Sequence, residues 1–469
     1  MARCYCRLRK VLICMCGPCI FLALLFIYMI FMVCMAMNSS ATPGTMVQAQ
    51  GRESSHFVAL GAYSNKGFAP YPFTFWDLHS HKDAIWNQLQ LAVDRNVNPI
   101  LHPNIFELEL KNSKFHESLL IQSFSEVTNW DSTQEKFKKL PQQMQDFMSH
   151  MQIRDYPTLN QPDGVCGAGA KDEKEPPLLL LAIKTTEVNF KNRQAIRQTW
   201  GQVGWRAGTK GNNSKRESGG YVRRVFLLGK EDPEDLGVDL SNLLQSESKQ
   251  YGDILQWDFK DTFFNLTLKD VLFWSWFSRF CDQTLFVFKG DDDVFVNTFN
   301  MITFLQDQLN MPQANRTLKD FMVGDVIGEA IPSRVNKSKY FISDTFYKGL
   351  YPVYAGGGGV VYTGLLAKRL YNISKRVHLF PIDDVYVGMC MFRLNTQPIH
   401  NPAFLTFDFP AKEEEEMCAY HKILLVHKRS PNQVVRLWAN MKKTQLLCKN
   451  VPLRDENKKK NRPKLIASS

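Results

Sequence analysis

Between residues 11 and 37 the chain has no charged side chain, and after Lys10 no basic residue recurs until Arg52. An uncharged stretch of that length is enough for a membrane-spanning helix, which needs ~20 apolar residues. It is longer than the apolar core of a cleaved leader, roughly 7–15 residues. A buried core helix is the competing structure for this segment, and cleavage after Ala36 the competing processing. With the basic residues all on its N-terminal side, the segment is predicted to leave residues 1–10 in the cytosol and the rest of the chain across the membrane.

A basic surface is also missing. Of the net charge of +11, Arg3, Arg7, Arg9 and Lys10 supply +4 and residues 449–469 supply +5, leaving +2 for everything between. A body so close to neutral lacks the basic face of a nucleic-acid-binding protein and excludes that class. The tail itself, residues 449–469, reads as a basic, disordered extension. No CxxC spacing occurs among Cys166, Cys281, Cys390, Cys418 and Cys448, which excludes a zinc ribbon. The other cysteines (Cys4, Cys6, Cys14, Cys16, Cys19 and Cys34) lie in or beside the uncharged stretch, and Cys4 and Cys6 are candidates for palmitoylation. In an oxidising lumen the five remaining cysteines predict two disulfides and one leftover thiol. Sequons at Asn38, Asn212, Asn265, Asn315, Asn336 and Asn372 fit a secretory-pathway surface. There is no internal repeat.

What is present is an ordinary globular composition, 44% hydrophobic and 22% charged over 469 residues, enough for one large domain or two. Residues 38–72 are polar with scattered Gly, Pro and Ser, and read as a stem. Residues 73–165 carry helical patches such as "DAIWNQLQLAV" and read as stem plus an N-terminal cap. From Pro177 strands and helices alternate. "LLLLAIKT", "VRRVFLLG", "DILQWDF" and "TLFVFKG" are the strands, and "DTFFNLTLKDVLFWSWFSRF" is a long helix apolar around much of its surface. Alternation of this kind predicts an α/β fold with a mainly parallel sheet, whose ligands bind at the carboxyl ends of strands.

One such end is "FVFKGDDDVFVNT". Three carboxylates between apolar runs are costly unless paired or metal-bound. In a D-x-D arrangement alternate residues share a face, so Asp291 and Asp293 form the natural pair and Asp292 points elsewhere. Hard divalent cations favour such oxygens; a solvated acidic turn is the plain alternative. Arg193 and Arg197 lie four apart on a helix, placed either to meet a diphosphate or ribose or to stand in solvent. Asp261, Asn265 and Lys269 repeat every four residues along the long helix. The glycines of "YAGGGG" let backbone approach a ligand closely. In "PIDDVYVGMC", Asp383 and Asp384 point to opposite sides of an extended backbone, one facing a site while the other caps a helix beginning near Val385; both serving as caps is the alternative. His427, after an apolar run, reads on its own as a core or interface residue.

Taken together, "AIRQTWG", "DTFFNLTLK", "FKGDDDVFVNT", "YPVYAGGGGVVYTG", "PIDDVYVGMC" and "LLVHK" resemble the inverting Golgi β1,3-glycosyltransferases over residues 166–448. The closest likeness is to the β1,3-N-acetylglucosaminyltransferases that extend poly-N-acetyllactosamine; "FWDLHSHKDAIWNQLQ" is similar to that subgroup's pre-catalytic segment. The resemblance implies a GT-A type, Rossmann-like catalytic domain behind a signal anchor. It implies Asp293 as chief carboxylate ligand, Asp291 near the ribose or metal, and His427 as nitrogen ligand, a mixed set that suits Mn²⁺ better than Mg²⁺. It places Arg193, Arg197, Asp261, Asn265, Lys269, Asp292, Gly357 and Gly358 around the sugar-nucleotide donor, with Asn265 buried. Asp384 becomes the catalytic base. Disulfides are implied between Cys390 and Cys418 and between Cys166 and Cys281, without the further cysteine pair that related sequences carry before the domain. Glu413, Glu414, Glu415 and Glu416 read as a solvated loop.

The expected activity is inverting transfer of N-acetylglucosamine from UDP-GlcNAc to the 3-hydroxyl of a terminal β-galactose, by a type II protein of the Golgi membrane. A β1,3-galactosyltransferase using UDP-Gal is the near alternative, and an inactive lumenal binding protein on the same fold the distant one. The sequence is compatible with homo- or hetero-oligomers.

Overall fold

The computed structural model describes residues 83–98, 120–122, 124–125, 131–164, 166–168, 175–209, 219–410 and 412–455. The expected anchor and stem, with the sequons at Asn38 and Asn212, lie outside the described residues. Among the described residues no helix is long and apolar enough to cross a membrane.

In chain order the strands are β1 (Thr158–Asn160), β2 (Leu179–Lys184), β3 (Gly204–Ala207), β4 (Gly219–Lys230), β5 (Ile254–Lys260), β6 (Phe286–Asp291), β7 (Phe295–Val296), β8 (Met322–Gly324), β9 (Val326–Ile327), β10 (Tyr354–Ala355), β11 (Gly359–Thr363), β12 (Ile399–His400), β13 (Phe404–Leu405) and β14 (Leu425–Val426). The main sheet runs β1-β5-β4-β2-β6-β11-β8-β12, with β3 on β4. Its centre, β5-β4-β2-β6, is parallel. Of the flanking strands, β1, β3 and β11 pair antiparallel with their neighbours and β12 pairs parallel with β8, so the sheet is mixed. All six residues of β2 are buried. Their alternation feeds two cores, Leu180 and Ala182 on one face and Leu179, Leu181 and Ile183 on the other.

The long helix, Leu266–Phe280, is buried around most of its surface, as its composition predicts. The N-terminal patches also belong to the packed body. Ile85, Trp86 and Leu89 of the helix Ile85–Val97, and Met144, Phe147 and Met148 of the helix Gln142–His150, enter the first core. Pro141 separates that second helix from Asp131–Lys138, because proline cannot supply the backbone N–H a continuing helix needs. At the other end, Arg454 lies in the expected disordered tail, yet its Nε is 2.7 Å from Glu413 and its backbone N–H donates to Lys422. The packed body described runs from residue 83 to residue 455, past both ends of the 166–448 stretch.

Among the described residues two disulfides are present. Cys166–Cys281 is as expected. Cys418 bonds Cys448, not Cys390. Cys390 is a buried free thiol of the helix Asp383–Arg393 and part of the first core, whereas Cys418 is half-buried after the Glu413–Glu416 run. The leftover thiol expected from the cysteine count is therefore Cys390.

Candidate active site

Three chain segments meet at the carboxyl end of β6. The first is the acidic run itself. Asp291 is the last residue of β6, and Asp292 and Asp293 form the turn into β7. The second is the strand β14, which pairs antiparallel with β7, Val426 opposite Phe295. That register carries His427 back past the turn, where the backbone N–H of Arg429 donates to the Asp293 carbonyl at 2.7 Å. His427 Nε2 then stands 3.1 Å from Asp293 Oδ1 and 3.9 Å from Asp291 Oδ2. Its Nδ1 faces the Thr406 carbonyl at 3.2 Å, which leaves Nε2 for the acids. One ligand atom from each of Asp291, Asp293 and His427 falls within 4.8 Å of the others, and two carboxylates with one imidazole fit a divalent cation of the Mn²⁺ type. Burial opposes ionisation of Asp293, but the hydrogen bond and charge of His427 outweigh it and hold the carboxyl below its usual value. Burial likewise works against a charged His427, and Asp293 raises it in return.

The third segment is the glycine run. β11 pairs antiparallel with β6, Gly359 opposite Gly290, so Gly358 faces Asp291 and accepts its backbone N–H at 3.1 Å. Gly358 has φ +110°, where a side chain would be strained, and a Cβ there would sit 3.1 Å from the His427 ring. A Cβ at Gly357 would come within 2.6 Å of Asp384 Oδ2. The glycine turn is thus the thin wall between the Asp291–Asp293–His427 cluster and Asp384.

Asp383 and Asp384 do not lie on extended backbone. The helix begins at Asp383, and neither acid caps it. Their positions in its first turn still send them apart. Asp383 is buried, 2.5 Å from Lys184 Nζ and 4.0 Å from Lys289 Nζ. Burial opposes its charge, but the two lysines hold the carboxyl down at about 2. Asp384 remains partly open beside Gly357; burial, with the charge of Asp383, pushes it up to about 8. Gly388, one turn on, lets the helix pack on β10, since a Cβ there would meet Val353 O at 2.9 Å and Tyr354 Cβ at 2.8 Å.

Lys184 also belongs to the candidate site, although nothing in its local pattern was singled out for that role. It ends β2 and bridges Asp383 at 2.5 Å to Asp291 at 3.1 Å. Burial works against its charge, yet these acids hold its pKa well above the ordinary lysine value. Behind it, Lys289 pairs with buried Asp270 at 2.6 Å. The signal was there in "LLLLAIKT": a lysine closing a fully apolar strand at its carboxyl end must find carboxylates or pay for burial.

The residues expected around the donor are placed less directly. Arg193 donates two hydrogen bonds to Glu247, at 2.8 and 2.7 Å, and others to the carbonyls of Thr186 and Glu187. Arg197 pairs with Glu247 at 2.6 Å and with Asp253 at 2.6 Å. Neither guanidinium is brought to the acidic cluster: Arg193 braces the loop after β2, and Arg197 ties its helix to Glu247 and Asp253. Asp292 points away from Asp291 and Asp293, as alternation predicts, and accepts hydrogen bonds from Thr185 and Asn192. Burial pushes it up to about 6. Asp261 precedes the long helix and pairs with Lys269 at 2.8 Å; Lys269 also donates to the Thr185 carbonyl, and Asp261 accepts from Gly229 N–H. Asn265 is half-buried and donates to the Lys260 carbonyl; it is not enclosed as expected. The acidic run is not simply solvated either, for Glu414 reaches Arg429 and Glu416 reaches Lys422.

The family model for galactosyltransferases matches residues 191–402, a stretch that holds the three acids, the glycine turn and Asp384. The human N-acetyllactosaminide beta-1,3-N-acetylglucosaminyltransferase 2 is 41% identical over 381 residues, covering 80% of this chain and 88% of that protein. The chain belongs to this galactosyltransferase family. Other members similar to it are UDP-GlcNAc:betaGal beta-1,3-N-acetylglucosaminyltransferase 7 of Rattus norvegicus, 38% identical over 64% of this chain and 72% of that one. UDP-GlcNAc:betaGal beta-1,3-N-acetylglucosaminyltransferase 9 of Bos taurus is 41% identical over 62% of this chain and 73% of that one. Lys184 and His427 fall outside the stretch the family model matches; the β2–β6 pairing of the main sheet brings in the first and the β14–β7 pairing of a separate three-stranded sheet the second.

Proposed function

We propose that the protein transfers N-acetylglucosamine from UDP-GlcNAc to the 3-hydroxyl of a terminal β-galactose, with inversion. The observation that carries this reading is the position of Asp384, across the glycine turn from the cluster of Asp291, Asp293 and His427. A catalytic pair of this kind separates the work. Asp291, Asp293 and His427 would hold a divalent cation, Mn²⁺ or in its place Mg²⁺, that neutralises the donor diphosphate and the charge developing on departing UDP. Asp384 accepts the proton of the acceptor hydroxyl as it attacks the anomeric carbon from the opposite side. Its raised pKa makes it a strong acceptor, and a cation bound nearby draws it back towards the ionised form. Lys184 keeps Asp291 and the Asp384 helix in one frame. A single displacement on an α-linked donor yields a β product.

The arrangement is read as a GT-A fold, in keeping with β5-β4-β2-β6 as its nucleotide half, and the protein as a Golgi type II enzyme held by residues 11–37. The names of the relatives, each a beta-1,3-N-acetylglucosaminyltransferase, support the choice of donor. The test is turnover of the full-length enzyme on N-acetyllactosamine with UDP-GlcNAc and with UDP-Gal, followed by the anomeric coupling of the product. A β-linked N-acetylglucosamine on galactose C3 is expected. Faster transfer of galactose makes the enzyme a β1,3-galactosyltransferase, and an α product removes Asp384 from its role.

A further inference from the structure

We propose that Phe407 is the stacking platform for the acceptor sugar, a terminal β-galactose lying apolar face down on its ring; this rests on the function proposed above. Among the described residues Phe407 is the most exposed aromatic side chain, 73% open to solvent, where Trp205 and Tyr340 follow at 47%. Leaving a phenyl ring in water forgoes the stabilisation that burial would bring. Both of its neighbours are nevertheless anchored to the candidate site. Thr406 is buried and accepts from His427 through its carbonyl. Asp408 adopts φ +87°, a region that residues with a side chain seldom enter. It is held there by Arg429 at 2.6 Å, whose own backbone N–H donates to Asp293. Phe409 turns inward onto Tyr420, ring centroids 5.1 Å apart. The chain is thus buried before Phe407 and packed after it, and the one ring between is turned out to solvent. Strained backbone that the surroundings enforce is characteristic of ligand-binding positions.

The residue before the ring, Thr406, also borders the glycine turn that walls Asp384. A Cβ at Gly356 would lie 3.3 Å from Thr406 Cγ2, and one at the next residue, Gly357, 2.6 Å from Asp384 Oδ2. Consecutive Cα atoms are ~3.8 Å apart, so Thr406 and Asp384 flank the same two residues. β-Galactose suits the position because its axial 4-hydroxyl leaves the C–H bonds of C3, C4 and C5 clustered on one face. A ring stacked through that face keeps its equatorial 3-hydroxyl free at the edge for Asp384.

The test compares the full-length wild type with Phe407→Ala and Phe407→Tyr, using UDP-GlcNAc, Mn²⁺ and N-acetyllactosamine. Phe407→Ala should raise the acceptor KM about tenfold, the scale of one aromatic contact. UDP affinity should stay within twofold, and Phe407→Tyr, which keeps the ring, should restore the wild-type acceptor KM. An unchanged acceptor KM in Phe407→Ala, or an equal loss of UDP affinity, overturns the platform. So does a Tyr variant as weak as the Ala variant. Wild-type enzyme that fails to use any β-galactoside overturns the proposed function and the platform with it. An active wild type with an unaffected Phe407→Ala overturns the platform alone.

Discussion

Gly357 faces the carboxylate of Asp384 so closely that a Cβ on it would lie 2.6 Å from Oδ2. The backbone of Gly357 needs no positive φ, so alanine fits its conformation and only the carboxylate has to move. Gly357→Ala should therefore leave the melting temperature within a few degrees of wild type while kcat falls about 10²-fold, the cost of misplacing a catalytic group by an ångström or so. Equal kcat in the two proteins would count against Asp384 as the base. Thermal melts and acceptor-saturated rates decide it.

Asp384→Asn keeps shape and removes proton acceptance. It should lower kcat by ~10²–10⁴ with UDP affinity near normal. It also has a pH signature. The folded pKa of Asp384, about 8, lies above that of an unfolded aspartate, so its contribution to stability is fully present below pH ~4 and is lost as pH rises through 8. The asparagine variant does not ionise. Measured without metal, its melting temperature should match wild type near pH 4 and exceed it at pH 9. A constant difference across that range would mean that the acid is not perturbed.

Asp383→Asn tests a different physics. Asp383 caps nothing; it neutralises Lys184 and Lys289 inside the fold. Breaking a buried pair costs on the order of 3 kcal/mol, well above the loss of a helix cap. The folded pKa of about 2 lies below the unfolded value, so this stabilisation is present above pH ~4 and lost as pH falls towards 2. Denaturant midpoints at pH 7 and pH 3 should show a gap between variant and wild type that narrows on acidification.

Asp293→Ala and His427→Ala each remove one member of the ligand cluster. Both should abolish Mn²⁺-dependent UDP binding in titration calorimetry, and excess chelator should reduce wild-type binding to the same level. Circular dichroism should remain that of wild type, because both side chains lie at the mouth of the site and not in either core. Full wild-type turnover in chelator would refute the metal.

Much of the site could be read from local sequence because its parts are local. The acids sit directly after an apolar strand, the glycines directly before another, and alternation alone sent Asp292 away from its neighbours. The long helix was legible for a similar reason, since burial on all sides is written in its composition. The arginines misled because four-residue spacing shows that two side chains share a helix face, not what that face meets. Here it meets Glu247 and Asp253, 50 or more residues away. The cysteine count predicted one unpaired thiol but not which one, because pairing depends on where a helix places its inner face.

By itself the sequence determined the strand–helix alternation, the carboxylate run at a strand end, the glycine turn and the family, all of which rest on residue type and near-neighbour spacing. Tertiary structure alone decided what those parts do to one another. Only the β7–β14 pairing brings His427 to Asp293, and only the adjacency of β2 and β6 sets Lys184 beside Asp291 and lets it reach Asp383. Charges separated by 100 to 200 residues shift each other's pKa only when the fold removes the water between them, and no local pattern records which ones will meet.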